Sequence, residues 1–324
     1  MKPRTIAATA AAVLILVAAG FLGWRMLGSR PAPVLEQAMT VSTDIPTAVA
    51  AAPRGCVWFT IDFSDSIGCI RDGKVERIPK GGRSVEPIGL AADAFGVAWF
   101  TDPSTLSVKR ITPTGEVRTF PIGTPIVRLG RLAVAPDGGV WFAESTTYSI
   151  TRLKDGKFTR HVFESLRGGP YGVAVDADGT VWATLQSGNR LVRITPDGTL
   201  SEIEIPTFGS SPTDVAVAPD GAVWFLEFRA GKLGRYAQGR FAEFAVPEGL
   251  SALSGLAIAP DGAVWFGAMR GASLVRFKDA EFRAFKLPRD GARPYTLSID
   301  VQGNVWYADI SGFVGRLPAE YAKR

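Results

Sequence analysis

The chain is built from a unit of about 41 residues in which apolar and polar positions alternate in short runs separated by glycine turns. Residues 212–225 show the pattern most clearly, as PTDVAVAPDGAVWF, and six related stretches begin at residues 46, 87, 129, 170, 253 and 294. The step between their tryptophans is always 41 or 42 residues: Trp58, Trp99, Trp141, Trp182, Trp224, Trp265 and Trp306. Seven strand-rich repeats of this length predict an all-β fold, a seven-bladed β-propeller.

Each unit predicts four short antiparallel strands. In the fifth unit, residues 215–218 end in a Pro-Asp-Gly turn, and the Val-Trp-Phe segment is the second strand. In the fourth unit, residues 191–194 and 202–206 are the third and fourth strands. Because a lone blade cannot bury both faces of its sheet, the tryptophan is expected to be a wedge between blades. An arginine expected to stack on its face follows six of the tryptophans: Arg110, Arg152, Arg193, Arg235, Arg276 and Arg316.

The two ends of the repeat region predict how the ring closes. The seventh unit stops after its third strand, residues 313–317. Residues 34–40 (VLEQAMT) precede the first unit at the spacing at which residues 282–288 (FRAFKLP) precede the seventh. We therefore expect residues 34–40 to supply the outer strand of the last blade, so that the propeller comprises residues 34–324.

Residues 1–33 have a different composition from the repeats. Lys2 and Arg4 precede an apolar run over residues 6–27 that is long enough to span a bilayer as a helix. This predicts an uncleaved signal anchor and tether that holds the propeller on the periplasmic or outer side of the inner (cytoplasmic) membrane. The alternative is a signal peptide cleaved after Val17-Ala18-Ala19, which would release a secreted protein.

The net charge of +5 comes mainly from this first segment, which carries four basic residues and no acid. The remaining chain has 32 basic and 31 acidic residues. A nucleic-acid-binding domain is expected to carry an excess of basic residues on one face. The balance therefore argues against a nucleic-acid partner.

The two cysteines, Cys56 and Cys69, both lie in the first unit. A hairpin that pairs Val57 with Gly68 would set them directly opposite on neighbouring strands. Cysteine pairs in exported proteins are commonly bridged. A cross-strand disulfide is expected, and two buried thiols are the alternative.

Acidic residues recur just after the second strand of several units. Asp102, Glu144, Glu227 and Asp309 follow their tryptophans by three residues, and Asp62 follows Trp58 by four. Carboxylates converging on one mouth of the channel favour a basic ligand or a divalent cation, Mg²⁺ or Ca²⁺. The alternative is that each acid caps its own loop. The tyrosines Tyr171 and Tyr295 are expected at the same mouth, with Arg270 and Arg293 as counter-charges.

Known catalytic arrangements are difficult to find in the sequence. The one histidine, His161, lies in a predicted outer strand, far from the channel. There is no phosphate-binding glycine loop, no cluster of zinc ligands and no serine nucleophile with a histidine that could reach it.

The repeat resembles that of the streptogramin B lyases (virginiamycin B lyases). The shared pattern is P-x-x-[LIV]-A-x-x-x-[DP]-G-x-[LV]-W-F-x-E, followed by an I-x-R-[IL] strand, and it covers about 280 residues in seven units. The resemblance implies a seven-bladed propeller and a magnesium-dependent elimination that opens the ester of a cyclic depsipeptide antibiotic. A looser similarity to the gluconolactonase group of lactonase propellers implies a divalent ion at the channel mouth.

The catalytic positions that the resemblance implies are substituted in this chain. Where the lyases have a histidine directly after the opening residue of the last two units, this sequence has Ser254 and Tyr295. Where they have two metal-binding glutamates, it has Arg293 and Ile310. The sequence therefore lacks the histidine base and the metal carboxylates of that elimination.

The function expected from the sequence is binding rather than catalysis. The ligand would be a small polar molecule, a peptide or a cell-envelope component bound at the channel mouth. The alternative is a metal-dependent enzyme, either a streptogramin B carbon–oxygen lyase or a lactonase-type hydrolase. The candidate binding residues are Asp62, Asp102, Glu144, Tyr171, Glu227, Arg270, Arg293, Tyr295 and Asp309.

Overall fold

A computed structural model describes the backbone of residues 35–38 and the chain over residues 44–123, 128–163 and 168–322. These residues form seven four-stranded antiparallel sheets, as the repeat predicts. The first strand, β1 (Leu35–Ala38), precedes the repeats, and a short helix, α1 (Ala319–Ala322), follows them. The predicted anchor and tether, residues 1–33, lie outside the described residues. Within the described part of the chain, no helix is long and apolar enough to cross a membrane.

Each of the first three blades is one repeat unit with its strands in chain order. Their strands are β2 (Ile45–Ala51), β3 (Val57–Asp62), β4 (Ser66–Arg71), β5 (Lys74–Pro79), β6 (Leu90–Ala92), β7 (Ala98–Asp102), β8 (Ser107–Ile111), β9 (Val117–Pro121), β10 (Leu129–Val134), β11 (Val140–Glu144), β12 (Ser149–Lys154) and β13 (Lys157–Val162).

The next three blades repeat this order, and the seventh unit supplies three strands. Their strands are β14 (Pro170–Val175), β15 (Val181–Leu185), β16 (Arg190–Ile194), β17 (Leu200–Glu204), β18 (Pro212–Val217), β19 (Val223–Glu227), β20 (Lys232–Ala237), β21 (Arg240–Ala245), β22 (Leu253–Ile258), β23 (Val264–Ala268), β24 (Ser273–Lys278), β25 (Glu281–Lys286), β26 (Pro294–Ile299), β27 (Val305–Asp309) and β28 (Phe313–Leu317).

The first strand of each blade faces the central channel. These seven strands contact one another in a closed circle, and β26 of the last blade contacts β2 of the first. The second strands are buried throughout in most blades, whereas the outer strands, such as β5, are largely exposed. Because the first strand begins where the second ends, the loops after the second strands lie at the same mouth of the channel as Tyr171 and Tyr295.

The hydrophobic core lies between blades. One cluster packs Trp141 and Ile150 of blade 3 against Val173 and Leu185 of blade 4, and the other clusters likewise join successive blades. Six of the seven repeat tryptophans are no more than 9% exposed. Burial of such large side chains on both sides of every sheet is the main stabilising contribution, so the role of the tryptophans as wedges is confirmed.

The repeated arginines lie directly opposite the tryptophans on the third strand. Trp141 pairs with Arg152, and Trp182 pairs with Arg193. The guanidinium carbon lies 5.5 Å from the ring centre of Trp141 and 5.9 Å from that of Trp182. These distances agree with the stacking expected from the sequence.

Cys56 and Cys69 form the expected disulfide, with their Cα atoms 5.2 Å apart. The strand register that suggested the bridge was wrong by two residues, since Val57 pairs with Ile70 and Cys69 lies opposite Trp58. The bridge therefore runs diagonally from the residue just before β3. It is possible because Cys69 stands where the other blades have the arginine that stacks on tryptophan.

The seventh sheet has the order β1-β28-β27-β26. β1 pairs antiparallel with β28, from Leu35 opposite Arg316 to Ala38 opposite Phe313. The last blade therefore combines the beginning of the propeller with its end, in the place assigned to residues 34–40 from the sequence spacing.

Replacing residues 35–38 by Gly-Ser-Gly-Ser keeps the chain length but weakens the strand, because glycine loses more conformational freedom on folding and has no side chain to pack. The loss of about four strand hydrogen bonds is expected to lower the free energy of unfolding by roughly 2–4 kcal/mol. Urea denaturation of the full-length chain and the variant measures the difference. An unchanged midpoint would contradict closure of the ring by this strand.

Candidate functional site

Two tyrosines meet across the mouth of the channel. Tyr171 is the second residue of β14 in blade 4 and Tyr295 is the second residue of β26 in blade 7, so they come from opposite sides of the ring. Their hydroxyl oxygens are 3.0 Å apart, within hydrogen-bonding distance. Burial raises the pKa of Tyr171 more than the nearby Arg131 lowers it, so its hydroxyl stays protonated and can donate.

A buried ion pair lies against the tyrosine rings. Arg131 on β10 donates from Nε to Oδ1 of Asp214 on β18 over 2.9 Å, and from Nη1 to the carbonyl of Ile88 over 3.1 Å. Its guanidinium carbon is 5.4 Å from the ring centre of Tyr171 and 5.2 Å from that of Tyr295. Burial opposes the charge of Arg131, but attraction to Asp214 outweighs it, so the pKa of Arg131 is raised above its usual value. The mouth is thus filled by one cation, one carboxylate and two aromatic faces.

The repeat pattern does not single out Arg131 or Asp214 as site residues. Both stand two positions after the residue that opens their unit, where other units have small side chains: Ala48, Gly89, Gly172, Gly255 and Thr296. The sequence signal that could have identified them is the occurrence of two opposite charges at a repeat position that holds a small residue in the other five units. Their pairing skips one blade, and it could not be derived from a single repeat.

Three of the predicted acidic residues are buried at the ends of their second strands and bind basic side chains. Asp102 lies 2.7 Å from Nζ of Lys109, Glu144 lies 2.9 Å from Nη2 of Arg160, and Asp309 lies 2.6 Å from Nη2 of Arg289. Burial raises the pKa of Asp102, but Lys109 and Ser84 together lower that pKa by more, so the net shift is downward. These contacts give the three carboxylates a structural role in their own loops.

Asp62 and Arg270 have simpler surroundings. Oδ1 of Asp62 accepts backbone N–H groups from Phe63 at 3.0 Å and from Glu86 at 2.7 Å, so it joins the loop after β3 to the segment that connects blades 1 and 2. Arg270 is exposed in the loop after β23, where its N–H donates to the carbonyl of Ser251 over 3.2 Å.

Among the buried acids of this set, Glu227 is the one without a basic partner of its own in the described part of the chain. It is fully buried, and neither carboxylate oxygen has a hydrogen-bond partner that meets geometric criteria among the described residues. Lys232 lies opposite it in the sheet, but Nζ of Lys232 binds Glu243 at 2.8 Å and Thr207 at 2.7 Å. Burial and repulsion from Glu243 raise the pKa of Glu227 to about 7.

Comparison with known proteins agrees with the repeat and the fold. The model of the virginiamycin B lyase family matches residues 29–154 and 124–322, which together cover most of the chain. The chain belongs to the virginiamycin B lyase family.

Individual members of the virginiamycin B lyase family differ substantially from the chain in sequence. The virginiamycin B lyase of Nocardia farcinica is 36% identical over 190 residues, which cover 58% of this chain and 65% of that protein. The matched segment is therefore less than two-thirds of that relative. The virginiamycin B lyase of Bordetella parapertussis is 42% identical over 45 residues, 14% of this chain and 15% of that protein.

Solved structures of the family have the same fold. A catalytically inactive variant of virginiamycin B lyase from Staphylococcus aureus, determined with quinupristin, is 24% identical with a TM-score of 0.83, covering 88% of this chain and 99% of that one. A streptogramin B lyase structure is 21% identical with the same TM-score of 0.83, covering 88% of this chain and 97% of that one.

The four positions that the sequence resemblance assigns to the lyase catalytic residues lie together between blades 6 and 7. Oγ of Ser254 donates to the carbonyl of Pro294 over 2.7 Å, next to Tyr295. The N–H of Ile310 donates to the carbonyl of Arg293 over 3.2 Å. The one imidazole of the chain, His161, is on the outer strand β13 and packs against Trp141, with ring centres 5.4 Å apart.

The side chains at these positions do not fit the magnesium ion that the family resemblance implies. Arg293 is a cation and Ile310 has no donor atom for a metal. The neighbouring acid, Asp309, already accepts from Arg289, from Oγ of Ser311 at 2.6 Å and from the N–H of Arg293 at 2.8 Å. Among the described residues, no group of three or more His, Cys, Asp or Glu side chains is arranged to hold a metal.

Glu227→Gln is expected to stabilise the protein in alkaline solution. The pKa of Glu227 is about 7 in the folded protein and 4.5 in the unfolded reference. Because the folded state holds the proton more tightly, the free energy of unfolding of the wild type falls as the pH rises between these values. At pH 8 the variant should be more stable by about 2–3 kcal/mol, and near pH 4.5 the two should be equal. Urea denaturation at both pH values measures this.

Glu144→Gln is the matched control, since Glu144 occupies the same position of its repeat but is paired with Arg160. It should destabilise the protein at pH 8, because it weakens a buried ion pair. If Glu227→Gln were less stable than wild type at pH 8, Glu227 would not be a buried carboxylate without a stabilising partner.

Proposed function

We propose that this family member binds a polar, carbonyl-bearing ligand at its channel mouth and lacks the elimination chemistry of the lyases. The observation that carries the proposal is the pair of hydroxyls of Tyr171 and Tyr295, 3.0 Å apart, held against the Arg131–Asp214 ion pair. Peptides, depsipeptides and envelope components containing peptide bonds all provide suitable oxygen acceptors.

The tyrosine pair supplies a hydrogen-bond donor to such a ligand. In a bond between two hydroxyls, one proton is used and the other remains available. The positive charge of Arg131 near both rings polarises the hydroxyls and strengthens the donor. The rings add apolar faces, and Arg270 and Arg293 are exposed nearby as further donors. A few directed polar groups on an otherwise apolar surface are typical of small-molecule sites.

The absence of elimination chemistry is supported by the residues at the matched catalytic positions. A histidine base is replaced by Ser254, whose hydroxyl is engaged, and by Tyr295, whose hydroxyl binds Tyr171. The carboxylate nearest to the substituted metal positions, Asp309, is neutralised by Arg289. No residue at these positions offers both the proton acceptor and the metal ligand that elimination requires.

Export of the propeller is part of the proposal. The apolar run after Lys2 and Arg4 would anchor the chain in the inner membrane, with the propeller in the periplasm or outside the cell. The Cys56–Cys69 disulfide supports this location, because disulfides persist mainly in oxidising compartments.

Quinupristin is a suitable probe, because the S. aureus relative was determined with it. It is expected to raise the melting temperature of the full-length chain, since a ligand that binds only the folded state stabilises it. The double variant Tyr171→Phe/Tyr295→Phe keeps both aromatic faces on Arg131 but removes both hydroxyls. We expect it to bind at least about tenfold more weakly.

Tyr236→Phe is the control, since Tyr236 loses the same atom on the third strand of blade 5, among aromatic rings. It should respond to quinupristin like wild type. Two results would contradict the proposal: no quinupristin-dependent stabilisation of wild type, or equal stabilisation of the double tyrosine variant.

A further inference from the structure

The turns between the first and second strands lie at the end of the propeller opposite the tyrosine mouth. Each turn has the pattern x-x-Gly, and the residue before the glycine is at its tip. In blade order, the tip residues are Arg54, Phe95, Asp137, Asp178, Asp220, Asp261 and Gln302. Blades 3 to 6 therefore have an acid at the tip. Blades 7, 1 and 2, which are neighbours in the ring, have none there.

This sector of three blades exposes apolar side chains beside a cation. Phe95 in blade 2 is 80% exposed, and Val301 in blade 7 is 61% exposed. Pro53 and Arg54, in the turn of the intervening blade 1, are exposed as well. We call these four residues the turn patch. Aromatic and aliphatic side chains next to a basic residue are typical of protein surfaces that lie in a membrane interface.

The exposed phenylalanine is held by a well-bonded turn. Oδ1 of Asp93 accepts from the N–H of Phe95 at 2.9 Å and from that of Val97 at 3.0 Å. The N–H of Gly96 donates to the carbonyl of Asp93 over 3.0 Å, and Nε1 of Trp58 in blade 1 donates to the carbonyl of Gly96 over 3.0 Å. The turn therefore fixes Phe95 in an exposed position and ties it to blade 1.

The tips of the other blades are less suited to a lipid surface. Asp220 lies 3.4 Å from Nη2 of Arg235, and Asp261 lies 3.1 Å from Nη2 of Arg276, so these acids are paired within their own blades. Such ionised carboxylates are costly to bring into a bilayer and are repelled by anionic lipids. The sector of blades 7, 1 and 2 is therefore the part of this end that fits a bilayer.

The described chain also enters the propeller at this sector. β1 begins with Leu35 opposite Arg316, at the end of blade 7 that carries Val301. Residues 28–34 separate β1 from the apolar run over residues 6–27, and seven residues can span at most about 25 Å. If the apolar run is an anchor, this sector cannot be far from the bilayer.

We propose that the turn patch lies on the surface of the bilayer that holds the anchor. Phe95 and Val301 enter the boundary between head groups and acyl chains, and the guanidinium of Arg54 binds lipid phosphate. This inference rests on the membrane anchoring that is part of the proposed function. The mouth formed by Tyr171 and Tyr295, at the other end of the channel, then faces away from the bilayer and is open to ligands in solution.

The test uses the full-length chain reconstituted in vesicles of phosphatidylcholine and phosphatidylglycerol. Both native cysteines are in the disulfide, so Phe95→Cys supplies one free thiol for a fluorescent NBD label. Phe208→Cys is the matched control, because Phe208 is 98% exposed in the loop before β18, at the mouth end. In chains that float with the vesicles, iodide should quench the label at position 95 at least about threefold less than the label at position 208.

A second pair of variants tests the side chain of Phe95 itself. The label is placed at Val301→Cys, and Phe95→Asp gives blade 2 the tip residue of blades 3 to 6. Iodide quenching of this label is expected to increase at least about twofold, because the acid disfavours contact with the bilayer. Phe208→Asp should leave the quenching unchanged. Both substitutions are at exposed positions, and thermal denaturation checks that the variants remain folded.

Three results would overturn the proposal. If the chain does not float with the vesicles, it has no anchor, and the anchoring part of the proposed function fails as well. If the chain floats and the labels at positions 95 and 208 are quenched equally, the anchor stands and the turn patch does not touch lipid. If shielding at position 95 rises with the protein-to-lipid ratio, a second copy of the chain covers the patch. The quinupristin test depends on the mouth alone, so its outcome is independent of these.

Discussion

Every blade of this propeller has two apolar sheet faces, and each face must be covered by a neighbouring blade. The repeat tryptophans supply the large side chains for these contacts, and clusters shared by successive blades are the result. Since no blade is stable by itself, the ring has to close. The pairing of β1 with β28 completes the sheet of the last blade from the other end of the chain.

The same closure brings seven strands together around the axis and decides what can occupy the channel. A Cβ atom on Gly255, where φ is +58°, would lie 2.7 Å from Cα of Thr296, so there is no space for larger side chains at this point. Arg131 and Asp214 reach across the space that such small residues leave. Burying an ion pair is unfavourable unless its groups are paired, and the two tyrosine rings and the backbone partners of Arg131 and Asp214 offset part of this penalty. The mouth is therefore defined by an ion pair and by hydroxyl groups.

The repeat predicted most of the fold because its signals are local. Strand alternation, Pro-Asp-Gly turns and the spacing from Trp141 to Arg152 each depend on neighbouring residues of one unit, and the structure has them as expected. The strand register at Cys56 and Cys69 was less predictable, because a slip of two residues keeps the same side chains on the same face of the sheet. The site was less predictable still. The basic partners of the acids come from different places: Lys109 from a third strand, Arg160 from a fourth strand and Arg289 from a loop. Arg131 and Asp214 belong to units that are not adjacent, and nothing in either unit alone indicates the pairing.

We propose that this chain combines the fold of the virginiamycin B lyase family with a channel mouth that lacks the residues for its elimination chemistry. Mass spectrometry of quinupristin incubated with the full-length chain and magnesium tests this claim most directly. We expect the antibiotic to keep its mass and its intact ester, because Asp309 beside Ile310 is already bound by Arg289 and the one histidine, His161, lies on an outer strand. A ring-opened product that disappears when a chelator is added, and also in an Asp309→Ala variant, would contradict it.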